Sequence, residues 1–228
     1  MSRAHFNSVF LSGRVTEAPA FSHVSHGKTI LRFLLAVKRL SGVYDLLPVI
    51  FREETLIPFP LAEGKRIALE GEIRSFNNRS GKGPKLCLAV FARSFSEDAQ
   101  EDANAVMLAG AVCKSPVFRE TPLGREIADV MLAVNRRYRK SDYIPVILWG
   151  QNARCAASLP VGAYLAFEGR MQSRAYLKKI ADGESESRVA YEVSAAHLLD
   201  GISDGAPPLP HPADAGEDGI SEEKDPEK

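Results

Sequence analysis

Residues 7–15 read NSVFLSGRV, and residues 104–112 read NAVMLAGAV. Both stretches place asparagine, valine, leucine, glycine and a second valine at the same relative positions. A chain that repeats itself at a spacing of about a hundred residues is expected to fold as two similar units. This pair of stretches therefore decides the organisation of the fold, and we expect each stretch to open its unit as the first strand.

The match between the two units continues without a gap. LAVKR at residues 35–39 meets LAVNR at 132–136, and DLLPVI at 45–50 meets DYIPVI at 142–147. After a slip of one residue, EG at 70–71 meets EG at 168–169. We therefore expect a first domain at residues 1–96, an acidic linker at 97–103, a second domain at 104–200 and a tail at 201–228.

The second unit contains short apolar stretches that alternate in the manner of β-strands, most clearly at residues 127–134. The expected elements are strands at 106–112, 127–134, 143–149, 164–174 and 187–195, with one helix near 152–159. Five strands with a helix after the third is the plan of the OB-fold barrel. The predicted fold class is all-β: two tandem five-stranded OB-fold barrels, each with one short helix, plus a disordered acidic C-terminal tail.

The formal net charge is zero, but the charges are unevenly distributed. Residues 201–228 hold eight acidic side chains against two basic ones, and the acidic run EDAQED occupies residues 97–102. The Pro and Gly content and the charge of the tail predict disorder. The remaining chain is net basic, which favours a polyanionic partner and a tail that competes with it.

Several functional classes find no support in the sequence. No apolar run approaches the roughly 18 residues that span a bilayer, so no membrane location is expected. Cys87, Cys113 and Cys155 are far apart and fit core thiols of a reducing cytoplasm. No histidine spacing suits a metal, and no phosphate-binding or nucleophile motif is present, so we expect no metal, no cofactor and no catalysis.

The second unit carries a set of motifs that together are specific: NAVMLAG at 104–110, LAVNRRY at 132–138, IPVILWG at 144–150, FEGRMQSRAY at 167–176 and YEVSA at 191–195. Through these motifs the chain resembles the bacterial single-stranded DNA-binding protein family. The resemblance implies a non-enzymatic OB-fold protein that coats exposed single-stranded DNA in replication, recombination and repair. It also implies binding by stacking bases on aromatic rings among basic residues.

The family's ring positions fall, by motif, on Tyr138, Tyr143, Trp149 and Tyr176. Neighbouring cations suited to phosphates are Arg136, Arg137, Arg170, Arg174 and Lys178. Every base has a π-face, so stacking on such rings tolerates any sequence. The alternative for each ring is a place in the core, above all for Trp149 on its apolar strand.

The first unit departs from this pattern. Ser41, Leu46, Arg52 and Asn78 stand where the second unit has its four rings. Basic residues persist in the first unit at Lys38, Arg39, Arg52, Arg74, Arg79, Lys82 and Lys85, and of these Lys38, Arg39 and Arg74 are the candidate phosphate contacts. We expect the first unit to have lost most of its stacking platform, unless Tyr44 and Phe76, which lie nearby but out of register, take over those roles.

The family assembles four barrels, so two barrels in each chain imply a homodimer. Family tails recruit replication and repair proteins through an apolar tip, whereas this tail ends in DPEK without an aromatic residue. The expected location is the cytoplasm, at the nucleoid. Two alternatives remain: an accessory OB-fold module for primosome or conjugative DNA processing that binds protein as much as DNA, and an RNA-binding OB protein.

Overall fold

The computed structural model describes residues 6–55, 57–78, 84–136, 140–179 and 185–199. In these ranges the first unit contains β1 (Asn7–Val15), β2 (Ala20–Ser25), β3 (Lys28–Lys38), β4 (Tyr44–Arg52), β5 (Arg66–Asn77) and β6 (Leu86–Ser96). The second unit contains β7 (Ala103–Val112), β8 (Val117–Glu120), β9 (Glu126–Asn135), β10 (Ser141–Trp149), α1 (Gly150–Ala157), β11 (Tyr164–Lys179) and β12 (Ser185–Leu198). The predicted tail at 201–228 lies outside the described residues.

All twelve of these strands form one continuous hydrogen-bonded sheet in the order β2-β3-β4-β6-β5-β1-β7-β11-β12-β10-β9-β8. Additional pairings of β1 with β3 and of β7 with β9 close each half into a barrel. The parallel pairs β4–β6 and β10–β12 complete each closure. The predicted all-β architecture of two tandem barrels is confirmed.

The strand count of each barrel differs from the prediction. Each unit has a short additional strand, β2 or β8, which pairs only with the strand that follows it. Residues 117–120 read VFRE, and all four side chains are exposed. Because no residue of β8 faces a core, the strand leaves no apolar alternation in the sequence by which it could be predicted.

The predicted short helix is present in the second barrel as α1, but the described residues of the first barrel contain no helix. The segment between β4 and β5 includes Pro58 and Pro60. Proline lacks an N–H and disfavours helical geometry in the residue before it. Two prolines separated by a single residue therefore prevent a regular helical turn. The expectation of one helix in each barrel was therefore wrong for the first.

The glycines of the two opening stretches lie where the first strand of each barrel changes partners. A Cβ on Gly13 would lie 2.3 Å from the carbonyl oxygen of Ala36, and a Cβ on Gly110 would lie 2.6 Å from that of Ala133. The strands come this close because β1 moves from β5 to β3 there, and β7 from β11 to β9. The repeated glycine thus permits barrel closure.

The two barrels are joined by antiparallel pairing of their first strands. Asn7 is in register with Leu108, and Leu11 with Asn104. Since Asn7 and Asn104 are equivalent in the repeat, the joint has an internal pseudo-two-fold axis near the Val9–Val106 pair. In each barrel the equivalent asparagine amide also exchanges two hydrogen bonds with the backbone of β5 or β11, at 2.7–3.0 Å.

The acidic run between the barrels packs against the first barrel. Asp102 forms an ion pair with Arg66 and accepts a 2.6 Å hydrogen bond from the backbone N–H of Lys38. Glu97 forms an ion pair with Lys65. Two carboxylates of the acidic run, those of Glu97 and Asp102, are thus engaged by cations of the first barrel. Strand β7 begins at Ala103, the last residue of the predicted linker.

Candidate nucleic-acid interface

The outer face of β10 carries two of the predicted rings. Asp142, Ile144 and Leu148 point inward and are fully buried, so the alternating residues Tyr143 and Trp149 lie on the outside. Trp149 is 36% exposed, and its Nε1 donates a 2.9 Å hydrogen bond to Oγ of Ser194 on β12. The indole is thus held in place while about a third of the residue remains accessible.

The outer face of β11 continues this surface. Arg170, Arg174, Tyr176 and Lys178 alternate along the strand, and Arg170 is in register with Ser194 of β12. Ser194 is in turn in register with Ile147 of β10, so these side chains share one side of the sheet. We call Tyr143, Trp149, Arg170, Arg174, Tyr176 and Lys178 together the stacking face.

Arg174 and Tyr176 form a cation–ring pair within the stacking face. The Arg174 Cζ lies 5.9 Å from the centre of the Tyr176 ring. The Arg174 Nε lies 3.5 Å from Oε1 of Glu192, and that oxygen also accepts a 2.8 Å hydrogen bond from Gln172. Because the Arg174 side chain remains 53% exposed, its charge is available to a phosphate.

Two predicted site residues, Arg137 and Tyr138, lie outside the described residues. Two others, Arg39 and Arg136, occupy equivalent places in the contact between the barrels. Arg39 donates to both carboxylate oxygens of Asp45, at 2.7 and 2.6 Å. Arg136 donates in the same way to Asp142, with its Nε at 2.6 Å.

Each of these aspartates is also bound by the opposite barrel. The backbone N–H of Ser173 donates to Asp45 at 2.7 Å, and that of Ser75 donates to Asp142 at 2.6 Å. We call these two reciprocal clusters the barrel contact. The Arg74 guanidinium joins it 3.1 Å from Asp142, and its burial, with the charge of Arg136 nearby, lowers the pKa of Arg74.

The barrel contact changes the electrostatics of Asp45. Burial raises the pKa of this carboxyl, but hydrogen bonds from Arg39 and Ser173 outweigh that effect and leave the pKa below its ordinary value. The same Arg39–Asp45 hydrogen bond raises the pKa of Arg39. The charges of Arg39, Arg74 and Arg136 are therefore already paired, and these residues hold the barrels together. The phosphate role that we predicted for them receives no support from their positions.

The first barrel has its own aromatic residues on the equivalent outer face. Tyr44 and Leu46 are exposed on β4, and Phe76 lies half-buried on β5. Lys38, predicted as a phosphate contact, is exposed at the edge of this face, in register with Tyr44. Sequence reasoning missed Phe91 on β6, whose ring centre lies 6.0 Å from the Arg52 guanidinium. The parallel register of β6 with β4 and its antiparallel register with β5 together bring Phe91 to this surface.

Metal binding and membrane insertion have no structural counterpart in the described part of the chain. There, no group of three or more His, Cys, Asp or Glu side chains could hold a metal ion. The helix of the described ranges is too short to cross a bilayer.

Two tandem OB-fold barrels carry rings and cations along one outer face, an arrangement that suits a single-stranded nucleic acid. The sequence profile of the Single-strand binding protein family matches residues 103–199. Single-stranded DNA-binding protein 2 of Chlorobaculum tepidum is 32% identical over 107 residues, which are 42% of this chain and 70% of that protein. The chain belongs to the single-strand binding protein family. The family that we predicted is confirmed, and with it the expectation of a binding protein and not an enzyme.

Other relatives match over shorter lengths. Single-stranded DNA-binding protein 3 of Clostridium acetobutylicum is 36% identical over 80 residues, 32% of this chain and 56% of that protein. The chain thus spans only about half the length of the first curated relatives that it matches. A deletion mutant of the single-stranded DNA binding protein from Thermus aquaticus superposes with a TM-score of 0.69 at 25% identity, covering 89% of this chain and 98% of that one.

Proposed function

We propose that this chain binds single-stranded DNA through the stacking face of the second barrel. The observation that carries the proposal is the alternation of rings and solvent-exposed cations on one side of the adjacent strands β10, β12 and β11. Of the predicted site residues, Tyr143, Trp149, Arg170, Arg174, Tyr176 and Lys178 remain in the proposed site. Tyr138 and Arg137, in the segment that joins β9 to β10, are proposed to extend it.

The two kinds of side chain do different work in this proposal. A base stacked on Tyr176 or Trp149 gains about 1–3 kcal/mol, whatever the base. Arg170, Arg174 and Lys178 follow the phosphates and make the affinity depend on salt. A buried Trp149 would have favoured the alternative function, an accessory module that binds protein as much as DNA, and the 36% exposure of this residue does not favour it.

The test is competition against a labelled oligo-dT bound to the full chain and followed by fluorescence anisotropy. Unlabelled oligo-dT should displace the probe, whereas a duplex of the same length should fail at equal concentration, because paired bases cannot stack on a ring. An oligo-rU competitor decides between DNA and RNA, since the rings themselves accept both. Equal competition by the duplex would overturn the proposal.

We further propose that the protein protects exposed strands during DNA replication, recombination and repair, in the cytoplasm at the nucleoid. The acidic tail at 201–228 is proposed to compete with DNA for the basic surface and to offer a site to replication or repair proteins. Its charge of eight acidic against two basic residues supports the first of these roles.

We also propose that two chains associate through the outer side of β1 and β7. Phe10 and Met107 occupy equivalent positions there and are 40% and 42% exposed, although both lie in mid-sheet. The pseudo-two-fold axis between them makes this apolar patch self-complementary, which suits a second copy of the same chain. Two chains would bring together four barrels.

A further inference from the structure

A buried carboxylate lies within the outer face of the second barrel. Glu192 of β12 is in register with Gln172, which lies two residues before Arg174 on β11, so the three side chains share one side of the sheet. The Glu192 side chain is only 7% exposed. Its negative charge opposes the phosphates of a bound strand, so attraction of DNA is not what this residue contributes.

We propose that Glu192 is a positioning residue, which holds the Arg174 guanidinium beside the Tyr176 ring in the orientation that meets a phosphate. The inference rests on the proposed function and adds to it a residue that acts through another. Arg174 contacts the DNA, whereas Glu192 stays buried and fixes where that contact is made.

The contacts of one carboxylate oxygen support this role. Oε1 of Glu192 accepts a 2.8 Å hydrogen bond from the Gln172 side chain, and both residues are buried. The same oxygen lies 3.5 Å from Nε of Arg174. Gln172 thus fixes the carboxylate, and the carboxylate in turn restrains the arginine. An ion pair with one buried member is screened less by salt than a fully exposed pair.

Arg174 is held between this carboxylate and a ring. Its Cζ lies 5.9 Å from the centre of the Tyr176 ring, while its Nε faces Glu192. A guanidinium has five N–H donors, so the contact through Nε leaves the two terminal nitrogens for a phosphate. The side chain is 53% exposed, which gives a phosphate access to them. An arginine restrained in this way loses less conformational freedom when it binds.

The first barrel shows that the fold does not require a carboxylate at this place. By register, Ala89 of β6 stands where the second barrel has Glu192, and Phe76 of β5 stands where it has Arg174. Phe76 packs against the small apolar cluster that contains Ala89. The carboxylate and the arginine are thus exchanged together for two apolar residues, as expected of a pair that acts as a unit.

A second cation lies within the electrostatic reach of Glu192. The pKa of Arg39 is raised mainly by its hydrogen bond with Asp45, and the charge of Glu192 adds to this effect. Arg39 is already bound to both carboxylate oxygens of Asp45, however. Arg174 is therefore the cation whose position depends on Glu192, and it is the one that belongs to the stacking face.

The test is a double-mutant cycle on the full chain, with the affinity for a labelled oligo-dT measured by fluorescence anisotropy. The four proteins are the wild type, Glu192→Gln, Arg174→Ala and the double variant. Glutamine keeps the shape of Glu192 and can still accept a hydrogen bond from Gln172, but it has no charge to restrain Arg174. Glu192→Gln should weaken binding by about threefold to tenfold, within the usual range of coupling between residues in contact. In the Arg174→Ala background the same substitution should not weaken binding.

The matched control is Glu186→Gln. Glu186 lies on the same strand, in register with Lys178 of the stacking face, and accepts a 2.8 Å hydrogen bond from Nε of Arg188. Its side chain is 45% exposed, and its partner is not part of the stacking face. Glu186→Gln removes the same charge without releasing Arg174, so it should bind oligo-dT at least as tightly as the wild type.

A second measurement needs neither DNA nor a substitution of Glu192. The heteronuclear ¹H–¹⁵N NOE of the arginine Nε–H group reports how far that side chain is ordered, and the Arg174 signal is assigned by its loss in Arg174→Ala. We expect a higher value for Arg174 than for Arg170, which is exposed on the same strand. Equal values in the wild type would overturn the proposal, and this result stands even if Glu192→Gln fails to fold.

The outcomes of the cycle separate this inference from the proposed function. Weaker binding by the same factor in both backgrounds overturns the inference, because Glu192 would then act on the fold and not through Arg174. Unchanged or tighter binding by Glu192→Gln in the wild-type background also overturns it, since the carboxylate would only repel the strand. In both cases a normal Trp149 response to oligo-dT leaves the proposed function intact. Absence of binding by the wild type overturns the proposed function together with this inference.

Discussion

At the scale of single residues, substitutions of Arg174 and Tyr176 distinguish the two contributions to binding that we propose, phosphate contacts and base stacking. Tyr176→Ala removes a ring and should weaken oligo-dT binding by about 1–3 kcal/mol, with an almost unchanged salt slope. Arg174→Ala removes a cation and should lower the slope of log K against log salt by about 0.7. Anisotropy titrations across a salt series measure both quantities. If both variants changed only the slope, the assignment of Tyr176 to stacking would be wrong.

Asp45 predicts a dependence of stability on pH. Its pKa in the folded protein lies below the ordinary value, so its contribution is complete above the unfolded-state pKa of about 3.9 and is lost as the pH falls through the folded-state pKa. Asp45→Asn should cost up to about 3–5 kcal/mol near neutral pH, because it leaves Arg39 without its partner. Urea denaturation at a series of pH values measures this contribution.

The matched control for Asp45 is Asp129→Asn. Asp129 accepts a similar pair of hydrogen bonds from Arg119, but both side chains are largely exposed. Removing an exposed ion pair should cost less than about 1 kcal/mol. Equal losses at the two positions would mean that the barrel contact is no stronger than a surface ion pair.

At the scale of elements, the sequence predicts best those strands that face a core on one side. Alternation at 127–134 predicted β9, which the structure extends by one residue at each end. Strand β11 continues beyond its predicted end to Lys179, and β12 begins before its predicted start, at Ser185. These added residues extend out of the barrel, so they do not follow the burial pattern of a strand that faces a core. For the same reason the exposed strand β8 was missed.

The sequence predicted residues of the candidate site only where family motifs mark them. The rings on β10 and β11 follow from family motifs, but Phe91 depends on the parallel pairing of β4 with β6, a non-local contact that no local pattern encodes. The role of Arg39 and Arg136 likewise depends on a contact between barrels. A basic residue next to an aromatic motif in the sequence can therefore either bind a phosphate or pair with a buried carboxylate.

Closure of the second barrel depends on the close approach of β7 to β9. Gly110→Ala would place a Cβ 2.6 Å from the carbonyl oxygen of Ala133, so the strands must shift, and we expect a loss of about 1–3 kcal/mol in urea denaturation. Gly27→Asn is the control. A Cβ at Gly27 would meet no atom within 4 Å, and asparagine tolerates the left-handed backbone conformation of this residue, whose φ is 69°. A loss at Gly110 no larger than at Gly27 would contradict this role.

At the scale of the whole molecule, the patch around Phe10 and Met107 predicts the assembly. Light scattering at micromolar concentration should give about twice the 24.9 kDa of one chain. Phe10→Ser/Met107→Ser should yield a folded monomer, since both side chains are exposed in the single chain. Phe21→Ala, which removes an exposed ring elsewhere, should remain a dimer. A wild-type monomer would contradict the proposed assembly and leave the binding face unaffected.

Trp149 reports directly whether single-stranded DNA lies on the stacking face of the second barrel, as we propose. The full chain is titrated with oligo-dT at two salt concentrations while tryptophan fluorescence and the anisotropy of a labelled strand are recorded together. We expect saturable quenching that follows the anisotropy at both salt concentrations, with weaker affinity at the higher one. Binding by anisotropy with unchanged Trp149 fluorescence would contradict it, because the strand would then lie elsewhere on the protein.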